Sequence, residues 1–473
     1  MPLRFPIYNR QKNSLINKRS QSALEYMMTY GWAILIIVIV AAVLYSFGIF
    51  SPSSSISATI TGFSGLGSVD AVCLGGTSFT VSLGNSLGYP INITRINLTS
   101  SSSSSSNSPG VQIPPGESRI ITVPGQSLCT SGSRYSVSAV IAYTEPGQVF
   151  PGPYFSRGTA SGTANSPPSS ITSYETLAVT DTQPSATPSP FQQMVNVTSS
   201  DPGWSYISSS PFGQNVVFFS PTGQILDSWL ENYTSTHAIW WVKLPNGAAP
   251  SDPLTIYMGF APSSTNLFNT VNTGEAPQIS STYAEYDDGA NVFNNYWNFA
   301  GTSSSGWTIS GTGSVIVNNG LILNSNGQGP FLTSVTTLLD NSVIDGLMSQ
   351  EAGAEIGIGS VNNYVYAIGM SGTEADGIGL TTSSGLVYGW VATGGFQSAN
   401  TKYVMSGYYV SGGLNLLSNY ISILTSTDSI SGTTSVVISG YASGDLTSYI
   451  QWLRIRAYPP NGVMPTVNFG SVS

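Results

Sequence analysis

The chain has 473 residues, with 13 Lys and Arg against 22 Asp and Glu, one His and two Cys, and charged residues make up only 7% of it. So acidic a chain has too few cations to displace counterions from phosphate, which excludes nucleic acid as a partner, and its length calls for two or three domains. With 41% hydrophobic and 11% aromatic residues the chain can build cores and is not disordered, so its polar surface falls to Ser, Thr, Asn and Gly.

Five cations, Arg4, Arg10, Lys12, Lys18 and Arg19, come first, and Glu25 is the single acid before residue 51. Beyond residue 50 eight cations stand against 21 acids, a net charge of −13. Tyr26 to Phe50 carries no charge and includes Ala33-Ile34-Leu35-Ile36-Ile37-Val38-Ile39-Val40. An apolar run of about 20 residues crosses a bilayer as a helix. The cations ahead of it predict a single-pass cell-membrane protein with a cytoplasmic N-terminus and an extracellular bulk. No small-residue cleavage site ends the run, so it is not an ordinary secretory signal.

Lys18-Arg19-Ser20-Gln21-Ser22-Ala23-Leu24-Glu25 ahead of an apolar helix resembles the class III signal peptide of archaeal type IV pilin-like proteins. The resemblance implies cleavage between Ser20 and Gln21, leaving a basic leader 1–20 and a pilin-like helix 21–50. It also implies that Glu25 pairs with the N-terminal amine of a neighbouring pilin subunit, and a carboxylate at the edge of lipid does need a cationic partner. Ser20 departs from the family's Gly or Ala before the cut, and Ala23 from its usual Ser. A permanently anchored protein that never polymerises is the alternative.

After Phe50 short alternating runs broken by Gly, Pro, Asn and Ser predict a mainly β ectodomain. Ser78–Leu83, Ile91–Leu98, Arg119–Val123 and Tyr135–Ile141 read as strands of a first module, 51–159, which resembles the β head of archaeal pilins. Within it the serine run Ser100–Ser106 reads as a solvated loop. Cys73 and Cys129, on the exterior side, are expected to pair as a disulfide, with two buried thiols as the alternative. Residues 160–175, with Pro167-Pro168, read as a linker.

A second module, 176–280, shows strands near Asn215–Phe219, Gln224–Glu231, His237–Leu244 and Leu254–Phe260. Trp241-Val242-Lys243-Leu244-Pro245 followed by Leu254-Thr255-Ile256-Tyr257-Met258 resembles an uncharacterised domain family of prokaryotic surface proteins, which implies no known activity. In that family a concanavalin A-like lectin/glucanase module follows. The third module, 281–473, with Gly-rich turns at Asn318-Asn319-Gly320 and Ser411-Gly412-Gly413, fits such a jelly-roll β-sandwich.

The chain is poor in catalytic groups. Glu351 and Glu355 are the nearest acid pair for glycoside hydrolysis, but residues four apart on a regular strand lie about 13 Å apart, beyond the separations such enzymes use. His237, the single His, begins a predicted strand and has no evident triad. No cofactor motif is present. Asp287, Asp288 and Asn291 cluster in a turn that could offer oxygens to calcium, though an Asx turn explains them equally. Adjacent Trp240 and Trp241 must point to opposite faces of a strand, while Tyr388 and Trp390 share one; these four are the candidate ligand-binding residues, core packing being the alternative. Asn92, Asn97, Asn196 and Asn232 are candidate N-glycosylation sequons. The leading expectation is a membrane-anchored or pilus-associated adhesin for glycan or protein. A tethered polysaccharide hydrolase and a purely structural envelope protein are the alternatives.

Overall fold

The computed structural model describes residues 59–472, except 68, 77, 125–127, 251, 339–340, 362–363, 369–375, 382–386, 395–396, 411–412 and 429–433, together with Ile36 and Val38, which are helical. The leader, the cleavage position at Ser20 and Gln21, and Glu25 lie outside the described residues. No helix among the described residues is long and apolar enough to cross a membrane. Residues 59–473 form one compact unit, and it is mainly β.

Nine strands build the first part: β1 (Thr59–Gly62), β2 (Val69–Leu74), β3 (Ser78–Gly84), β4 (Ile91–Thr99), β5 (Ser104–Asn107), β6 (Val111–Ile113), β7 (Ser118–Pro124), β8 (Arg134–Thr144) and β9 (Tyr154–Thr163). One sheet runs β1-β9-β8-β4-β5, with β6 also on β4, and a second runs β2-β3-β7. Strand β8 alternates buried Tyr135, Val137, Ala139 and Ile141 with less buried neighbours, the period-two signature of a half-covered strand. Phe79 of the small sheet meets Tyr135 of the large one edge to face at 5.7 Å. The serine run is not all loop. Ser104–Asn107 pairs antiparallel with Ile96–Thr99, because an edge strand needs only backbone partners, and Ser side chains suit its solvent face.

Cys73 and Cys129 form the expected disulfide, 56 residues apart in sequence. Closing a loop of that length stabilises the fold by about 4 kcal/mol in a chain-entropy estimate.

The second part comprises β10 (Ser173–Thr180), β11 (Phe191–Thr198), β12 (Val216–Phe219), β13 (Ile225–Leu226), β14 (Ser228–Tyr233), β15 (His237–Leu244), β16 (Leu254–Phe260) and β17 (Thr273–Glu275). The third comprises β18 (Asn295–Trp297), β19 (Trp307–Ser310), β20 (Ser314–Val317), β21 (Leu321–Leu338), β22 (Ser342–Gln350), β23 (Ala354–Ser360) and β24 (Tyr364–Ile368). It continues through β25 (Gly377–Thr381), β26 (Val387–Thr393), β27 (Tyr403–Tyr409), β28 (Leu414–Ser418), β29 (Ile421–Ser426) and β30 (Thr434–Ala457), and β31 (Thr466–Val472) ends the chain.

Sheets β13-β12-β16-β10-β31 and β11-β15-β14-β17 face each other over a core that includes Leu177, Val195, Phe218, Leu230, Trp240, Val242, Met258 and Phe260. The final strand therefore belongs to the second sandwich: β31 pairs with β10, so the stretch 281–473 is not a self-contained module. In the third part a 13-stranded sheet folds over on itself, bringing β24–β26 against β27–β29 around Ile344, Ile356, Ile378, Leu416, Ile438 and Ile450. The first part is held to the second by Ser78 Oγ to Tyr257 Oη at 2.5 Å, Thr122 to Thr255 at 2.7 Å, and the Ile120 amide donating to Asp252.

Candidate functional site

The outer face of sheet β11-β15-β14-β17 packs on the last turn-ward stretch of β30, and two β-bulges decide what meets there. In β30, Leu347 pairs with Trp452 but Met348 with Ile450, so Gln451 is an inserted residue. Such an insertion reverses the facing of every later side chain. Ile450, Leu453 and Ile455 therefore fill the third part's core, while Trp452, Arg454 and Arg456 turn to the junction. In β14, Leu230 pairs with Trp240 and Asn232 with Ile239, so Glu231 is the inserted residue there. The bulge points both Glu231 and Asn232 toward the junction.

The junction holds a buried charge network. Arg454, fully buried, lies 2.8 Å from Glu231 and 2.8 Å from Asp345; Arg456 donates to the same Asp345 oxygen at 2.8 Å. Burial alone would raise the Asp345 carboxyl, but Arg456 and Arg454 outweigh it and hold it below the usual range. The Arg454 guanidinium also stands 4.3 Å from the Trp241 ring, 4.5 Å from Phe293 and 4.7 Å from Trp452. Those aromatic faces receive a cation that water cannot reach. Glu231 Oε2 accepts from Trp241 Nε1 at 2.7 Å, from Arg454 and, in a very short bond, from the Tyr420 hydroxyl.

Beside this network opens a cleft of about 580 Å³. Asn196, Asn232, Gln278 and Asn419 bring amides to it, His237 and Lys402 bring basic groups, and Tyr420 brings aromatic surface, while Trp452, also at the lining, is fully buried. Two buried atoms of lining residues, the Trp452 Nε1 donor and the Gln278 Oε1 acceptor, have no hydrogen-bond partner within the protein. His237 Nδ1 lies 2.9 Å from Thr234 Oγ1. Glu231 is the one carboxylate among the described lining residues.

Tyr420 reaches the cleft from the two-residue turn joining β28 to β29, where Asn419 and Tyr420 have φ of 47° and 67°. Two consecutive left-handed residues make the hairpin turn that suits twisted strands, and Asn-Gly is its usual filling. A Tyr in Gly's place costs about 1–2 kcal/mol of backbone energy. Its hydroxyl, bonded to Glu231 and 2.8 Å from Arg454, sits where that strain has a return in contacts.

The residues singled out from sequence are distributed as follows. Trp240 and Trp241 do point to opposite faces, but neither is open to a ligand. Trp240 is 2% exposed inside the second sandwich against Phe212 and Phe218, and Trp241 is 0% exposed beneath Arg454, behind the cleft wall. Tyr388 and Trp390 lie on β26, and their side chains are outside the described residues. Asp287, Asp288 and Asn291 do not form a calcium cradle. Asp287 accepts from Trp229, Gly289, Tyr296 and Asn298, while Asn291 donates to the Thr270 and Val271 carbonyls. Asp288, 1% exposed, is pushed by burial and by Asp287 to a pKa of about 9. Among the described residues, no group of three or more His, Cys, Asp and Glu is placed to hold a metal. Glu351, whose Oε2 accepts from the Thr447 amide, sits on the turn before β23, and Glu355 lies on β23; neither lines the cleft. Of the sequons, Asn196 and Asn232 are exposed and both align with Ile239, one on each side of β15, at the cleft. Asn92 and Asn97 lie on the interior strand β4 with their Oδ1 atoms buried.

No family model matches the chain. It is 29% identical over 359 residues to "Uncharacterized protein 562" of Sulfolobus islandicus rod-shaped virus 1, covering 63% of this chain and 58% of that protein, so it spans less than two thirds of that relative's length. Among solved structures it is similar to the carbohydrate binding module CBM66 from Bacillus subtilis, at 13% identity over 32% of this chain and 96% of that one, with a TM-score of 0.27. The beta-glucanase of Bacillus licheniformis gives 11% identity over 34% of this chain and 97% of that one, with a TM-score of 0.29. The beta-1,3-glucanase of Mycobacterium marinum gives 11% over 34% and 98%, with a TM-score of 0.28.

Proposed function

We propose that the chain is an extracellular surface protein, tethered by its apolar segment 21–50, whose cleft between the second sandwich and β30 binds glycan. One observation carries the reading: the cleft combines amides from four separate segments with aromatic surface at Tyr420 in one concave wall. Sugars need that mixture, since their hydroxyls both donate and accept while their CH faces pack on aromatic rings. Lys402 and His237 at the lining also suit an acidic sugar.

Binding is favoured over cleavage. Glycoside hydrolysis takes two carboxylates flanking the bond, and among the described residues a single one lines the cleft, with its Oε2 held by three donors. The test uses the full chain in detergent micelles against a panel of neutral and acidic polysaccharides, with reducing ends assayed in the same wells. Saturable binding without new reducing ends is the expected result. Cleavage, or no binding across the panel, would overturn the reading.

A further inference from the structure

A second hollow, of about 460 Å³, borders the same hairpin. Tyr420 lines both it and the cleft, so the two meet at that residue. The hollow's other aromatic surface comes from Tyr408 and Tyr458, packed edge to face at 5.2 Å, and its polar groups include Asn415, Thr425 and Asn461.

Backbone conformation at its edge is unusual twice over. Asn419-Tyr420 is one pair of consecutive left-handed residues there, and Asn461-Gly462, with φ of 51° and 76°, is another. Gly462 is required on steric grounds as well, since a Cβ would lie 3.0 Å from the Tyr458 hydroxyl and 3.3 Å from the Tyr408 ring. The second turn also fixes Asn461, whose amide donates to Gln183 at 3.0 Å. Irregular backbone of this kind collects where side chains must be held for recognition.

We infer that the cleft and this hollow form one continuous binding track for a linear oligosaccharide, with Tyr420 as the shared wall and Tyr408, Tyr458, Asn415 and Asn461 as its outer subsite. The inference rests on the cleft being a glycan site and adds that the ligand is an extended chain rather than a single terminal sugar. A pyranose ring lies against a tyrosine face while its hydroxyls reach the two amides, the arrangement that small-ligand sites generally use.

The experiment titrates the full chain with neutral gluco-, manno- and galacto-oligosaccharides and with acidic uronate oligosaccharides, from disaccharides to hexasaccharides. Affinity should rise about tenfold or more with length for the sugar that binds. Thr425→Trp, at an exposed position on the hollow's rim, and Tyr458→Ala should each remove that gain. Affinity flat with length, or a hexasaccharide affinity unmoved by both variants, would overturn the track while leaving the cleft reading intact. Absence of binding at every length would remove both.

Discussion

Glu231 and Arg454 pair at 2.8 Å across the boundary between two sheets, with side chains 2% and 0% exposed. Each needs the other, because an isolated charge at that depth would be far costlier than a paired one. Arg454 also pairs with Asp345, so its removal orphans Glu231 and leaves Asp345 to Arg456 alone. Arg454→Met should therefore lower the unfolding free energy by about 3–5 kcal/mol. Arg456→Met should cost less, since Asp345 keeps Arg454. Urea titration of the three proteins checks this; equal losses, or a loss under about 1 kcal/mol for Arg454→Met, would argue against the network.

Buried acids make stability depend on pH. Burial raises Asp288, near Asp287 and Asp227, to about 9, Glu175 to about 7, and Asp252 to about 6. A carboxyl whose folded pKa is raised contributes stability that is complete below its unfolded pKa, near 4, and is lost as pH rises through the folded value. Asp345 runs the other way, losing its contribution only as pH falls below the ordinary carboxylate range. Thermal midpoints should thus be higher near pH 4.5 than near pH 8.5. Asp288→Asn should flatten that slope, and an unchanged slope would show that Asp288 does not carry it.

The adjacent tryptophans separate packing from binding. Trp240→Ala should cost about 3–5 kcal/mol, as expected for a large aromatic removed from a core. Trp240→Phe should leave glycan affinity unchanged. Trp241→Phe removes one of the three donors to Glu231 Oε2 and should weaken binding several-fold. Paired melting and binding measurements distinguish the two.

Sequon position predicts which sites carry no sugar. Asn196 and Asn232 project at the cleft, whereas Asn92 and Asn97 are set into β4 with buried Oδ1 atoms. Glycopeptide mass spectrometry of protein from its own cells should find Asn92 and Asn97 unmodified. Occupancy at Asn92 or Asn97 would contradict the burial argument.

Much of the β architecture is legible in the chain because a half-buried strand writes itself as alternation: Ile91–Leu98 and Tyr135–Ile141 both fall within observed strands. The opposite facing of Trp240 and Trp241 follows from the same period. The site is less legible, for two physical reasons. Its members, Asn196, Glu231, Lys402, Tyr420 and Trp452, come together only through long-range pairing. Two of its key facings are set by bulges at Glu231 and Gln451, which reverse the parity that sequence reasoning assumes. One signal was present: Trp452-Leu453-Arg454-Ile455-Arg456 places two of the chain's few cations on one face of a strand beside an aromatic. In a chain with 7% charged residues, such a pair reads as functional or buried rather than as a solvated face. The C-terminal strand's return to β10 had no local signal, since pairing partners are not encoded in a strand's own alternation.

The most direct test blocks the cleft without disturbing the fold. Asn196 is exposed on β11 and lines the cleft, and a strand accepts an aromatic at such a position. Asn196→Trp in the full chain, titrated with the polysaccharide that the native protein binds, should lose about tenfold or more in affinity with the melting temperature unchanged. Undiminished binding by this variant would place the glycan elsewhere and contradict the account.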